Sequence, residues 1–413
     1  VHSGVEFIKE DLAGAELDST YKGGVDYVFH FAAYAAEWLS PFIRCYERYY
    51  SCWWIRFTTL PVESSQRSAA LWCGETRLSQ QDDFIDGGMT YRASVIILSY
   101  NSFETTTREC LESLLPNAHQ EGFEIVVIDN ASDCATRQAL EAYRGNSHLK
   151  VVFNENNHGY AAGNNQGVAF ARGETIVLLN SDTVVPSGAI KNMCDALQNN
   201  TQLSMVGPVT NEVGNEQAIW TRGKVVTDIL SEGQEWVSHA SASHIPTKQL
   251  SFFCSALTRE TWDQVGELDK NFGLGYYEDT DYCIRVSQKG LEMRVLEDVF
   301  VYHQGSASFG RVPQKVKNLM RENKKKMQAK YPFSIELLHK RDANLSCLRY
   351  YLREIDQCPR DSLRSLCYRF ENRLQLGGDE MPRGLFKRWA YRRRLNAIQD
   401  LWESAIRRSK IND

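Results

Sequence analysis

Thr175-Ile176-Val177-Leu178-Leu179-Asn180-Ser181-Asp182 decides the fold. A run of β-branched and leucyl residues with no polar alternation is the pattern of a strand buried on both faces of a parallel sheet. It ends abruptly in a polar cluster. The carboxyl edge of such a sheet is where α/β proteins bind ligands, so Asp182 is placed to work.

The same grammar repeats upstream. Ser94-Val95-Ile96-Ile97-Leu98 reads as a first strand broken by Ser99-Tyr100-Asn101, and a helix follows from Thr105 to Leu115 with Leu111, Leu114 and Leu115 on one face. Glu124-Ile125-Val126-Val127-Ile128 ends at Asp129-Asn130-Ala131-Ser132-Asp133, and Lys150-Val151-Val152-Phe153 leads into Asn154-Glu155-Asn156-Asn157-His158-Gly159. A helix from Ala161 to Arg172 then returns the chain to the strand ending at Asn180. Between Ala93 and about Gly310 this alternation predicts an α/β domain with a mostly parallel central sheet flanked by helices. Parallel order would gather every polar cluster on one edge.

Composition sets wider bounds. A chain of 413 residues, 43% hydrophobic and 24% charged, is long enough for one large or two medium domains. Its eleven cysteines show no CxxC pair and no regular spacing, which reads as reduced thiols in a cytoplasmic protein. The longest apolar stretch, Tyr27 to Ile43, contains His30, Glu37 and Pro41 and is too polar to span a bilayer. Val1 in place of Met implies a start further upstream.

Net charge is −5, but its distribution matters more. Residues 311 to 413 carry 25 Lys+Arg against 12 Asp+Glu, or +13, so residues 1 to 310 carry the remaining 22 and 40, or −18. A solvated helical face explains any single charge run. An asymmetry this large adds an anionic partner, most simply a membrane leaflet or a diphosphate-bearing lipid.

Three regions follow: residues 1–90, 91–310 and a basic helical region 311–413. In the first, Val25-Asp26-Tyr27-Val28-Phe29-His30-Phe31-Ala32-Ala33-Tyr34 resembles a segment of sugar-nucleotide epimerases of the extended short-chain dehydrogenase family, over about residues 5–44. No glycine-rich fingerprint and no Tyr-xxx-Lys accompany it, so a working epimerase is not expected. From Cys45 to about Met89 the text has neither helical nor strand period, and residues 1–90 read as a gene-neighbour remnant or out-of-frame translation rather than an intact domain. Beyond Gly310, Val316, Leu319, Met320, Leu337, Leu338, Leu348 and Leu352 among many Lys and Arg predict short amphipathic helices, packed on the preceding domain or facing a membrane.

The middle region resembles family two of the nucleotide-sugar glycosyltransferases, of the GT-A fold, and within it the bacterial rhamnosyltransferase-like members. The resemblance rests on ordered motifs: Ser94 to Asn101, Val127 to Ser132, Asn156 to Asn165, Leu178 to Thr183, Gly207 to Asn211, Phe272 to Asp281 and His303 to Ser306. It implies polysaccharide or cell-wall biosynthesis, with transfer from a dTDP- or UDP-linked sugar to a hydroxyl of a glycan or lipid-linked acceptor.

Site roles carry over residue by residue. A departing nucleotide diphosphate develops negative charge that a hard divalent cation neutralises, and Asp182 resembles the family's metal ligand. The family's DxD appears as Asn180-Ser181-Asp182, one carboxylate short. In general such a tripeptide is more often a turn cap. His303 resembles a further ligand, and imidazole suits Mn²⁺ at least as well as Mg²⁺. Inverting transfer needs a base for the acceptor hydroxyl, for which Asp279 is the choice, with Glu278 beside it. Glu278 to Arg285 reads as a helix start whose amino end would keep Asp279 ionised; Arg285 could pair with Glu278 or Asp281. Ser99, Tyr100, Asn101, Asp129, Asn130, Gly163 and Asn164 fall to the nucleotide sugar, with Asn180 and Ser181, while Asp133 is read as a helix cap. Trp220, Phe252, Phe253 and Trp262 could stack on sugars, though core packing is the default.

Two other classes compete. One is an inactive carbohydrate-binding or scaffold protein of the same fold, suggested by the incomplete DxD. A nucleotidylyltransferase would need a glycine-rich, basic phosphate loop that Ser99 to Glu104 lacks, and no nucleic-acid module accompanies the basic region.

Overall fold

The structure is a computed structural model. It describes residues 91–240, 243–305, 313–331 and 339–411, and the backbone of residues 5–9 and 53–57. The chain divides into two compact units, Val1–Gly87 and Gly88–Asp413.

In the first unit, β1 (Val5–Lys9) pairs antiparallel with β2 (Trp53–Phe57), Val5 opposite Phe57 and Lys9 opposite Trp53. The strand at Trp53–Phe57 corrects the reading of Cys45 to Met89 as without strand pattern. Its Trp-Trp-Ile-Arg-Phe text is rich in strand formers but too short for alternation to stand out. The epimerase-like segment otherwise lies outside the described residues.

The second unit is built on an eight-stranded sheet of order β5-β4-β3-β6-β10-β8-β11-β9. These strands are β3 (Ala93–Ser99), β4 (Phe123–Asp129), β5 (Leu149–Phe153), β6 (Thr175–Asn180), β8 (Leu203–Val209), β9 (His244–Thr247), β10 (Cys254–Thr258) and β11 (Glu292–Phe300). β3 lies parallel to β4 and β6, and β4 to β5. β10 runs antiparallel to both β6 and β8, which restores the common direction in β8 and in its parallel neighbour β11. The carboxyl ends of β3, β4, β6, β8 and β11 therefore share one edge. This is the mostly parallel central sheet that the sequence resemblance implies.

Alternation across the pleat splits the core into two layers. Val95, Ile97, Val127 and Val177 face α1 (Arg108–Glu121) and α4 (Ala189–Asn199), through Leu111, Leu114, Ile190 and Met193. Ile96, Val126, Ile176 and Leu178 face the other layer, with α3 (Gly159–Phe170), α5 (Val226–Ser238), α6 (Arg259–Val265) and α7 (Glu278–Gln288). Helix α2 (Cys134–Glu141) follows β4, and its expected cap holds: Asp133 accepts from the Thr136 amide. The first crossover helix is preceded by a π-turn at Phe103–Thr107 and runs on through Pro116 to Glu121, longer than its leucine pattern predicts.

The C-terminal helices are α8 (Pro313–Lys330), α9 (Lys340–Glu354), α10 (Arg360–Asp379) and α11 (Leu385–Ile411). At 15 to 27 residues they are longer than the short helices expected. α9, α10 and α11 join the second core layer through Leu348, Tyr351, Phe370, Leu395 and Trp402, while Met327 of α8 packs in a separate cluster with Phe272 and Tyr331. Trp220 belongs to this junction, its indole donating to Asp379 at 2.6 Å. Phe252, Phe253 and Trp262 are buried, the default read for them. Among the described residues no helix is long and apolar enough to cross a membrane.

Candidate functional site

Asp182 and His303 meet because two short strands pair at the carboxyl edge. β7 (Thr183–Val184) and β12 (Tyr302–His303) run antiparallel with His303 opposite Thr183, β12 being separated from β11 by a break at Val301. Asp182 Oδ1 lies 3.4 Å from His303 Nε2. Asn211, from the end of β8, clamps the histidine backbone: its side chain donates to the His303 carbonyl at 2.9 Å and accepts from the His303 amide at 3.0 Å. The ring stacks on Phe253 with centroids 5.0 Å apart.

The other ring nitrogen fixes the chemistry. Nδ1 sits 2.7 Å from the Glu212 carbonyl oxygen. A carbonyl only accepts, so Nδ1 carries the proton and a neutral ring turns the Nε2 lone pair toward the Asp182 carboxylate. A proton or a metal cation between them relieves that opposition. Burial alone would lower the His303 pKa, but the Asp182 carboxylate and the Glu212 carbonyl outweigh it and raise it. The donor set of one carboxylate oxygen and one imidazole nitrogen, oriented from behind by a carbonyl, fits a divalent metal. Among the described residues no group of three or more His, Cys, Asp or Glu side chains converges to hold one. Ligands beyond this pair would have to come from outside those side chains.

Glu278 and Asp279 open α7 after a strained turn. Tyr276 and Tyr277 take φ of 69° and 79°, unusual for bulky residues and reached through Gly273 and Gly275. A side chain at Gly159, the first residue of α3, would collide with the Gly273 carbonyl, so this loop seats on the α3 amino end. The loop is held from α8: the Asn323 amide, fully buried, donates to the carbonyls of Phe272, Gly275 and Tyr276 at 2.8, 2.9 and 3.0 Å. Asp281 is an anchor, receiving Tyr331 Oη at 2.8 Å, Lys330 Nζ at 2.7 Å and Arg285 Nε at 2.9 Å. The pairing left open for Arg285 thus falls on Asp281.

The electrostatics of the two leading carboxylates differ from expectation. Burial, and then the neighbouring Asp279 charge, push Glu278 up to about 8, and its Oε2 is buried without a hydrogen-bond partner. Asp279 is also raised, chiefly by burial, against the lowering effect of hydrogen bonds from the Thr280 amide and hydroxyl. The helix amino end does not by itself lower the Asp279 pKa, because desolvation outweighs it.

Tyr160 joins the two halves of the site. Its phenol donates to the Phe252 carbonyl at 2.8 Å, and its pKa is driven well above the usual value by burial and then by Glu278, Asp279 and Asp182. Sequence reasoning missed Tyr160, Asn211 and Asn323. The first two sit inside quoted motifs and were legible as candidates; Asn323 lies in a basic helix with nothing to single it out.

The nucleotide-side residues are brought to the edge in different states. Tyr100 is exposed, while Asn101 takes φ of 52°, donates its amide to Ser132 Oγ at 3.0 Å and accepts from the Asp133 amide at 2.7 Å. Asp129 is fully buried at the end of β4, with Oδ2 accepting from the Ser132 amide and Oδ1 lacking a partner; burial raises its pKa. Asn130 is tied to Gly159, His158 and Asn154. Ser99 and Ser181 are buried, Asn180 half-buried, and Asn164 donates to the Tyr160 carbonyl. Ser99, Gly163 and Asn164 are buried. Ser99 faces Thr107, and the small Gly163 is required by the close approach of Leu98.

Comparison with known proteins gives this edge its context. The family described as "Glycosyl transferase family 2" matches residues 94–257. The chain is 25% identical over 254 residues to an uncharacterized glycosyltransferase, YfnE, of Bacillus subtilis, covering 52% of this chain and 64% of that protein. It is 23% identical over 222 residues to the low-salt glycan biosynthesis hexosyltransferase Agl10 of Haloferax volcanii, covering 51% and 66%. The chain thus spans somewhat less than two-thirds of the length of these curated relatives. A crystal structure of S. aureus TarS 1-349 in complex with UDP-GlcNAc aligns with a TM-score of 0.42 at 18% identity, covering 69% of this chain and 81% of that one. Residues 94–257, the match to glycosyl transferase family 2, contribute Asp182 and the edges of β3, β4 and β6.

Proposed function

We propose that this domain catalyses inverting transfer of a hexosyl group, in a rhamnosyltransferase-like reaction, from a dTDP- or UDP-linked donor to a hydroxyl of a glycan or lipid-linked acceptor. The observation that carries the reading is the Asp182–His303 pair, facing at 3.4 Å with the imidazole tautomer set by the Glu212 carbonyl. A divalent cation, Mn²⁺ or Mg²⁺, held by Asp182 and His303 would supply Lewis-acid neutralisation of the diphosphate leaving group. Asn211 and Phe253 hold the histidine for it.

The remaining steps belong to the chain's own residues. Asp129, Tyr100 and Asn101 are the contacts for the base and ribose, with Asn130 positioning them. Asp279 takes the proton from the acceptor hydroxyl as that oxygen attacks the anomeric carbon and the bond to the diphosphate breaks. Glu278, pushed up to about 8 by burial and then by the Asp279 charge, holds its own proton near neutral pH, and the role of base falls to Asp279. Placement in glycan assembly, at the inner face of a membrane, is in keeping with the name of the Haloferax relative and with the basic C-terminal region.

A screen of nucleotide sugars for metal-dependent turnover tests the reading, with Asp182→Ala and Asp279→Asn as controls. Asp279→Asn should abolish transfer while donor binding stays near wild type. An absence of turnover with every donor, together with retained sugar binding, would support the scaffold reading that the incomplete DxD suggests.

A further inference from the structure

We propose that the first two turns of α11 form a docking surface for an anionic lipid bilayer. Leu385, Phe386 and Trp389 are 87%, 78% and 58% exposed. They are not an unfinished core face, because the same helix buries Tyr391, Leu395, Ile398 and Trp402 on its other side. At 100° per residue, Leu385, Trp389, Arg393 and Phe386 fall within a sector of about 100°. Phe386 and Trp389 lie with ring centroids 6.0 Å apart, and the Arg393 guanidinium sits 5.7 Å from the Trp389 ring.

Charge chooses the occupant. From Met381 to Gln399 there is no Asp or Glu, while Arg383, Lys387, Arg388, Arg392, Arg393 and Arg394 are all basic. Arg394 turns to Asp342 at 2.8 Å; the other five are exposed. A nucleic acid would leave the leucine and phenylalanine without a role, and an apolar protein surface would leave the cations without one. Anionic headgroups over an acyl boundary satisfy both, with the arginine stems lying along the apolar surface and their heads meeting phosphates. The surface uses no residue of the transfer site, so it stands or fails separately from the proposed reaction.

Co-sedimentation of the full chain with vesicles tests it, comparing phosphatidylcholine alone with phosphatidylcholine mixed with phosphatidylglycerol. Binding should appear with the anionic vesicles and weaken as salt is raised. The variant Phe386→Ser/Trp389→Ser should lose at least about tenfold in vesicle affinity. The variant Arg388→Gln/Arg392→Gln/Arg393→Gln should lose about fivefold per cation. Both should keep the wild-type melting temperature and activity, since the replaced side chains are exposed. A chain that stays in the supernatant, equal binding to both vesicle types, or variants that bind like wild type would overturn the proposal. So would a monomer appearing from a wild-type dimer in light scattering of the aromatic variant, which would assign the face to a second copy.

Discussion

The imidazole of His303 stands between two acceptors, with Nδ1 2.7 Å from the Glu212 carbonyl oxygen and Nε2 3.4 Å from Asp182 Oδ1. The geometry predicts that metal binding is measurable without any sugar nucleotide. Titration of Mn²⁺ followed by electron paramagnetic resonance should give a site that Asp182→Ala removes. Asn211→Ala, which frees the His303 backbone but removes no ligand, should weaken it roughly 10- to 100-fold. Unchanged Mn²⁺ affinity in Asp182→Ala would sink the assignment.

Removing the metal should have the matching effect on turnover. A chelator should stop transfer, and added Mn²⁺ should restore it, whereas a chain whose activity survives chelation does not use the pair in this way.

Asn323 tests whether α8 positions the candidate base. Its amide satisfies three carbonyls of the loop that carries Tyr276 and Tyr277 into left-handed backbone. Asn323→Ala leaves those carbonyls without their donor, at a cost of about 1–3 kcal/mol in stability. Because the loop delivers Asp279, kcat should fall while the donor KM changes little. A purely structural asparagine would lower the melting temperature and leave kcat of the folded fraction intact.

Glu278 should leave a signature in stability against pH. Its pKa rises on folding from 4.5 to about 8, so the folded state binds more protons than the unfolded state in that window. Stability attributable to this group is complete below pH 4.5 and is lost as pH rises toward 8. Glu278→Gln cannot titrate, and its melting temperature should decline less over the same interval. Parallel curves for the two proteins would show that Glu278 is not the group responsible.

Much of this was legible in the sequence, for identifiable reasons. The strands around Ile96, Val126 and Val177 are buried on both faces, so their text is continuous and their ends are marked by polar residues. Asp182 sits at such an end, whereas Asp279 lies in the first turn of α7. What could not be read is contact across long sequence separation: Asn211 on His303, Asn323 on the Gly273–Tyr277 loop, and Tyr160 among three carboxylates. The upward shift of Asp279 could not be read either, because helix-end electrostatics are local and visible, whereas desolvation depends on everything packed around the site.

The C-terminal region supplies the last test. Not all of its basic residues are solvated: Arg373 is fully buried and meets Glu297 of β11 at 3.3 Å, with Arg369 at 2.5 Å from the same carboxylate. Arg373 also donates to the carbonyls of Glu216 and Ala218, Tyr351 donates to Glu297, and Ser243 donates to it at 2.8 Å. One acidic side chain thus ties α9 and α10 to the sheet. Glu297→Leu should destabilise the unit by about 3–5 kcal/mol, because it leaves a buried guanidinium without its counter-charge. Adding Arg373→Met should restore a large part of the loss, since the uncompensated charge leaves with the arginine. Urea denaturation of the three variants decides it: if the double variant is no more stable than Glu297→Leu alone, the pair does not hold the helices to the sheet.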